Sequence, residues 1–353
     1  MPTTVQPAVV GATGYTGAEL TRFLLKHPRC RTPLLFHDRD ATASADFAEL
    51  YPQFCGERNG PAKPALAVER LDWEQMARSG VDVLFLCTPH EVSRRLVPQA
   101  VERGLRVVDL SGAWRLKQAT HRAVYAFEDE NPQAASALDA SAAYGIPELR
   151  ASAIADARVV ANAGCYATSI ILALAAWIDG GLLDVDAGVV CDSKSGVSGA
   201  GKAATARTHF VEVSDNFAAY NVFGHRHTGE VLEQLGLERA QLQFTPHLLP
   251  IPRGIFSSIY VRAHNGTRAR DLDACLREFY RDAPFVRVRG SGKLPEIRFT
   301  LHTNYCDIGF EMEPEGPRVL LVSCLDNLVK GASGQAVQNF NVMCGFDQRE
   351  GLQ

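Results

Sequence analysis

The chain has 353 residues, 46% hydrophobic and 22% charged, a balance that supports about two globular domains with buried cores. Its 36 Lys and Arg against 40 Asp and Glu leave a net charge of −4, which gives no basic field to draw nucleic acid or an anionic membrane. The most apolar stretch, Ile170 to Ile178, is far too short to span a bilayer, and nine singly scattered cysteines without a CxxC pair argue against a disulfide framework or a zinc site and for a reducing, cytoplasmic setting.

Pro7 to Val10, the glycine turn GATGYTG and AELTRFLLKHP predict strand, tight turn and helix, with no charged-then-apolar leader ahead of them. Leu34 to His37 is the next strand. Val81 to Cys87 and Leu105 to Leu110 are further short apolar runs, separated by the helical pattern EVSRRLVPQAVERG. Strand-length runs alternating with helical patterns predict a parallel sheet of βαβ units. Ser111 to Ala143 is mixed, with loops and connecting turns expected. From Arg158 the character changes. ARVVANAGC predicts a strand into a turn and YATSIILALAAWI a strongly apolar helix. GVVCDSKSG, LQFTPHLLP, GIFSSIYVRAH, IRFTLHTNYCDIGFEMEP and RVLLVSCLD follow as longer, more alternating strands, as in an antiparallel or mixed sheet. Lys330 to Met343 predicts a closing helix. The pattern is thus α/β: a Rossmann-type nucleotide-binding half, then a sheet-rich half.

Gly11, Gly14 and Gly17 form a GxxGxxG variant of the dinucleotide turn, placed after a strand and before a helix, where backbone N–H groups and the helix dipole favour a pyrophosphate. His37, Asp38 and Arg39 end the second strand. Asp38 can accept from ribose hydroxyls and Arg39 can pair with a 2′-phosphate, and the residues alone leave NAD against NADP open. Cys165 falls where a strand ends and a helix begins, at the positive pole of the helix dipole, a setting that favours thiolate. The other eight cysteines read as small buried hydrophobes.

His225 and His227, two apart in GHRHTGE, fall on one side of an extended segment. They can serve as base and substrate contact, as half of a metal site, or as solvated surface residues; no further ligand cluster accompanies them, so no metal is expected. The loop Ser193 to Lys202, which includes Ser195 and Gly196, can form an anion nest or a plain linker. Arg253 can hold a carboxylate or phosphate or lie on the surface, and the Asn327 amide can bond a cofactor carboxamide or cap the last helix.

The segments GATGYTGAEL, CTPHEVS, VVDLSGAWRL, AGCYATS, SGVSGAGK, HRHTGE, FTPHLLPIPRGI, CDIGF and DNLVKGASGQAVQNFN together resemble the N-acetyl-γ-glutamyl-phosphate reductase family, in the family's order from near Gly11 to near Asn341. The resemblance implies an NADP-binding domain over 1–160, with a C-terminal helix in 329–353 returning to it, and a catalytic and dimerisation domain over 161–328. It implies NADP(H) held by Gly11, Thr13, Gly14, Tyr15, Thr16 and Gly17, then by His37, Asp38 and Arg39, with Ser195 and Gly196 as further cofactor contacts and Asn327 on the carboxamide side. The nucleophile falls on Cys165, the acid or base on His225 in preference to His227, and substrate contacts on Arg115 and Arg253. The implied reaction is NADPH-dependent reduction of an acyl phosphate to an aldehyde through a cysteine thioester, in arginine biosynthesis, by a homo-oligomer (dimer or tetramer). The alternatives are the same chemistry on carrier-linked α-aminoadipyl phosphate or aspartyl phosphate, and a non-catalytic NADP(H)-sensing protein. Ala163 and Ala167 replace prolines frequent beside the family's cysteine, and Gly229 replaces a frequent proline after the histidines.

Overall fold

The structure, a computed structural model, describes residues 4–38, 45–55 and 66–352. They form two compact units, one of Met1–Arg115, Tyr125–Asn162 and Ser333–Gln353, the other of Leu116–Val124 and Ala163–Ala332.

The first unit is built on eight strands: β1 (Pro7–Val10), β2 (Leu34–His37), β3 (Ala45–Asp46), β4 (Ala67–Arg70), β5 (Val83–Leu86), β6 (Arg106–Asp109), β7 (Ala143–Gly145) and β8 (Val159–Asn162). Their order is β3-β4-β2-β1-β5-β6-β8-β7, parallel throughout except for the antiparallel edge pair β3–β4. Strands β1, β5 and β8 are buried at every position, which is why they read as unbroken apolar runs. The order reverses between β1 and β5, and in open α/β sheets ligands bind outside the carboxyl ends of the strands at such a reversal. The last helix, Gly334–Cys344, packs on helices Pro147–Asp156 and Tyr15–Lys26 and on β6, β7 and β8, and so belongs to this unit.

The second unit carries β9 (Val189–Gly196), β10 (Ala218–Ala219), β11 (Leu242–Leu249), β12 (Ile255–Arg262), β13 (Val286–Ser291), β14 (Cys306–Met312) and β15 (Arg318–Leu325). The order is β10-β11-β9-β12-β15-β14-β13, with β11–β9 and β13–β14 parallel and the rest antiparallel. Helix Cys165–Asp179 lies on β9, β12, β14 and β15 and is buried continuously from Tyr166 to Trp177, which explains its near-total lack of polar residues. The few it has are paired: Ser169 Oγ is hydrogen-bonded to Ser257 Oγ and Ser323 Oγ, and Trp177 Nε1 donates to the Leu272 carbonyl.

Four details depart from the pattern reading. Leu116–Val124 joins the second unit because Glu233 accepts the Lys117 and Gln118 N–H groups and bonds the His121 ring. In IRFTLHTNYCDIGFEMEP only Cys306–Met312 is strand; Ile297–Phe299 is a 3-10 turn, with Thr300 Oγ1 bonded back to the Ile297 carbonyl and His302 N–H given to Asp326. Such local side-chain bonds compete with ladder pairing. The closing segment begins as a π-helical turn, Val329–Ser333, before its α-helix. The HRH segment is not extended: Arg226 has helical φ/ψ and His227 opens the helix His227–Leu235.

Candidate functional site

In the first unit, the turn after β1 is shaped by close approach. Gly11 has φ +86°, and a Cβ there would lie 2.4 Å from the Cys87 carbonyl oxygen just past β5. A Cβ on Gly17 would lie 2.1 Å from the Gly11 carbonyl oxygen. Gly14 differs: a Cβ on it would meet only the Gly11 oxygen at 3.6 Å. Gly14 caps helix Tyr15–Lys26 with no side-chain hydrogen bond, and the first turn holds no acid. This is an open helix N-terminus at the sheet's switch point, a cradle that fits a pyrophosphate. Tyr51 and Ser333 brace it, donating to the Thr13 carbonyl at 2.7 Å and the Thr16 carbonyl at 2.8 Å. His37 ends β2 and Asp38 follows it, while Arg39 lies outside the described residues.

In the second unit, Cys165 opens its helix after the cap Gly164 and is half-buried. It lines a cleft of about 450 Å³ together with Tyr166, Ser195, Tyr220, His225 and His227. Both phenols are turned into the protein's own network. Tyr166 donates to the His247 carbonyl at 2.8 Å, and Tyr220 donates to the Tyr166 oxygen at 3.3 Å. Burial pushes the Tyr220 hydroxyl up to about 12, with nearby Cys165 adding to the rise, so both rings are neutral donors and acceptors at neutral pH. Gly331, from DNLVKG, presses on the cysteine from behind; a Cβ there would lie 2.7 Å from Cys165 Cβ. Burial pushes other thiols up, Cys30 to about 12 and Cys344 to about 11, with Cys87, Cys191, Cys275 and Cys324 moved the same way. Those six are poor nucleophiles.

The histidines meet through a turn. The His227 N–H donates to His225 Nδ1 at 3.1 Å, and the ring centroids lie 4.7 Å apart at 82°. An accepting Nδ1 leaves the His225 proton on Nε2. Burial, helped by the Arg226 charge, lowers the His225 pKa to about 3, so this ring is neutral at pH 7. His227 has its Nε2 3.8 Å from Oε1 of the fully buried Glu230, whose Oε2 accepts the Gly164 N–H at 2.9 Å.

The remaining sequence-derived positions are dispersed. Ser195 is buried and donates to the Gly196 carbonyl, and Gly196 packs so tightly on Arg253 that a Cβ would lie 2.7 Å from the Arg253 nitrogen. Asn327 accepts the Gly254 N–H at 2.8 Å and donates to Ser198 Oγ at 3.0 Å, joining two loops; capping falls to Asp326, which accepts from Leu328 and Val329. Arg115 is in the first unit, buried, and donates to the Leu110 carbonyl. Arg253 lies 3.5 Å from Asp326 Oδ2. The cations lining the cysteine cleft are Arg207 and Arg226. Sequence reading passed over Arg207, Gly331 and Glu230. Only the last two carried a signal, being inside quoted motifs. Among the described residues no His, Cys, Asp and Glu cluster is arranged to hold a metal ion, and no helix is long and apolar enough to cross a membrane.

Comparison with known proteins agrees with this layout. Residues 6–157 match the semialdehyde dehydrogenase NAD binding domain, and residues 165–327 match the semialdehyde dehydrogenase dimerisation domain. A protein of Pelotomaculum thermopropionicum named N-acetyl-gamma-glutamyl-phosphate reductase is 41% identical over 99% of this chain and 97% of its own length. One of the same name from Akkermansia muciniphila is 42% identical over 99% and 98%. Among solved structures, aspartate semialdehyde dehydrogenase II of Vibrio cholerae, complexed with ASA, superposes with a TM-score of 0.71 at 17% identity, over 98% of this chain and 99% of that one. Aspartate semialdehyde dehydrogenase of Candida albicans with NADP gives 0.67 at 16% identity, over 97% and 99%. These two show the fold alone. Nucleotide turn, cysteine cleft and full-length similarity converge: the chain belongs to the N-acetyl-γ-glutamyl-phosphate reductase family of semialdehyde dehydrogenases.

Proposed function

We propose that this chain reduces N-acetyl-γ-glutamyl phosphate to N-acetylglutamate 5-semialdehyde and phosphate, the step of arginine biosynthesis that its relatives' name describes, and does so through Cys165. The carrying observation is Cys165 itself, at the start of a buried apolar helix and in one cleft with two histidines and two arginines. The Cys165 sulfur attacks the acyl carbonyl, the carbon–oxygen bond to phosphate breaks, and a thioester holds the acyl carbon in place. NADPH, when bound, supplies the hydride that reduces that carbon. The resulting thiohemiacetal collapses, releasing the aldehyde and restoring the sulfur. His225, neutral with its proton on Nε2, serves as a hydrogen-bond donor to oxygen as charge develops there. Arg207 and Arg226 supply positive charge for the substrate's carboxylate and phosphate. The open Gly14 cap holds the cofactor pyrophosphate, and Asp38 with Arg39 governs the choice of NADP(H) over NAD(H).

The match to a dimerisation domain supports a homo-oligomer, a dimer or tetramer, and the free state of the eight described cysteines suits a reducing cytoplasm. The test is phosphate-dependent oxidation of N-acetylglutamate semialdehyde, followed as NADPH formation, with aspartate semialdehyde as comparator. Turnover confined to the acetylated substrate is expected. Preference for aspartate semialdehyde, or turnover without phosphate, would overturn the assignment.

A further inference from the structure

Residues 201–224, which run between β9 and the helix His227–Leu235, include no buried residue, and only Thr208, Val213 and Tyr220 are half-buried. The segment is nevertheless shaped. Its own backbone closes the turn Phe210–Val213, with the Val213 N–H on the His209 carbonyl and the Ser214 N–H on the Phe210 carbonyl, and the Thr205 and Thr208 hydroxyls bond each other at 2.9 Å. It is fastened to the sheet by the two-residue strand β10, paired with Leu248 and His247 of β11, and by Phe217 stacked on the His247 ring at 4.9 Å. On either side of that anchor it presents apolar side chains to solvent: Phe210 is 79% exposed, Val211 70% and Phe223 63%. Phe223 also has φ +60°, a left-handed conformation that a bulky residue keeps only when its surroundings hold it there. Arg239 donates to its carbonyl, while its ring stands in solvent.

Single exposed apolar residues are ordinary, but a cluster of them on an ordered segment marks a surface that a partner covers. Three observations choose the partner. The segment lies inside 165–327, the residues that match a dimerisation domain. A run of its length is on the scale of the roughly 20–30 residues a side that a stable interface uses. It also carries both signs of charge beside its apolar residues, Arg207 with Glu212 and Asp215, which lets the patch meet a copy of itself across a two-fold axis. The same segment reaches the site. Arg207, Thr208, Tyr220 and Asn221 line the cysteine cleft, and Arg207 stands 6.0 Å over the Tyr220 ring. We propose that a second copy of this chain seats on Phe210, Val211, Val222 and Phe223, and that this contact holds Arg207 and Tyr220 in the cleft, so the substrate site is complete only in the assembled protein. Without the second copy these side chains stay in water, and the segment lacks the apolar burial that fixes a loop in one position. This rests on the homo-oligomer proposed above.

The experiment reads assembly first, which needs no substrate and therefore separates this contact from the substrate assignment. Sedimentation velocity of the full-length native protein should give an oligomer. Phe210→Ser with Val211→Ser should halve its mass, while circular dichroism and NADPH binding stay native. Hydroxyl-radical labelling of Phe223 should be low in the native assembly and severalfold higher in the variant. Turnover of the semialdehyde with phosphate is read next. The variant's kcat/KM should fall about tenfold, as for a site held in its competent form about a tenth of the time. A monomeric native protein, or a variant of native mass, overturns the contact. So does free labelling of Phe223 in the native assembly, the result expected if the copies meet through another face or a different protein covers this one. A halved mass with unchanged kcat/KM overturns the link to the cleft.

Discussion

The nucleotide turn and the cysteine turn are built on one local plan and finished in opposite ways. Each follows a fully buried strand, β1 or β8, and each opens a helix behind a glycine cap in extended conformation, Gly14 (φ −79°, ψ 165°) or Gly164 (φ −71°, ψ 150°). Neither cap uses a side chain. At Gly14 the space ahead is left open and the first turn carries no acid, so the helix N-terminus can serve a bound anion. At Gly164 the protein supplies its own acceptor: Glu230 takes the N–H, and Gly331 closes on the cysteine from behind. In the proposed function the same strand–turn–helix junction binds a ligand in one unit and holds the nucleophile in the other. What separates them is the long-range neighbour, not the local sequence.

Substitutions that fill one turn and spare the other sharpen this contrast. Gly331→Ala places a Cβ against the Cys165 Cβ and Cα, at 2.7 and 3.2 Å, and displaces the nucleophile. Turnover should fall by about 10²-fold, as sub-ångström misplacement of reacting groups does, while NADPH affinity by fluorescence titration stays native. Gly14→Asp acts on the other turn. Its Cβ makes ordinary contact, and aspartate is a good helix cap, so thermal stability should hold or rise. Its charge faces the cofactor phosphates, and NADPH affinity should fall about tenfold or more with Cys165 alkylation unchanged. A loss of both functions from either substitution would break the contrast.

A smaller effect comes from the neutral ring beside the cysteine. The His225 pKa is lowered from its ordinary value near 6.5 to about 3, so the unfolded chain binds the proton that the folded one refuses. The stability it contributes is complete above pH 6.5 and is lost as pH falls toward 3, at a limiting slope of about 1.4 kcal/mol per pH unit. His27, lowered by burial, acts in the same direction. The readout is therefore the difference between native protein and His225→Asn in denaturant melts at pH 7 and pH 5. The variant should lose less stability on acidification; an equal loss would mean the ring titrates normally.

Much of this was legible in the sequence where local pattern decides structure. The runs at Pro7–Val10 and Val159–Asn162 are short and mostly apolar because they are buried at every position, Leu34–His37 is buried at its centre, and the Cys165 helix is apolar because it is buried along nearly its whole length. Period-two alternation equally gave away Val189–Gly196. Long-range partners were not legible. Nothing local marks Glu233 as the carboxylate that pulls Leu116–Val124 into the second unit, or Glu230 as the acceptor for Gly164. The HRH spacing suggested an extended segment, yet Arg226 is helical, because the His227 N–H folds back onto His225 Nδ1. Arg115 and Arg253 were the arginines in prominent motifs, whereas the cleft draws on Arg207, from a loop with no pattern, and Arg226.

The covalent role of Cys165 is tested most directly by trapping the acyl group. Native protein mixed with N-acetyl-γ-glutamyl phosphate in the absence of NADPH, acid-quenched and digested, should carry the N-acetylglutamyl mass on the peptide containing Cys165. The same digest of Cys165→Ser should carry none, and that variant, folded and still binding NADPH, should show no measurable reduction. An adduct on another cysteine, no adduct at all, or a Cys165→Ser protein with more than about a tenth of native turnover would contradict the mechanism, since removing a true nucleophile costs far more.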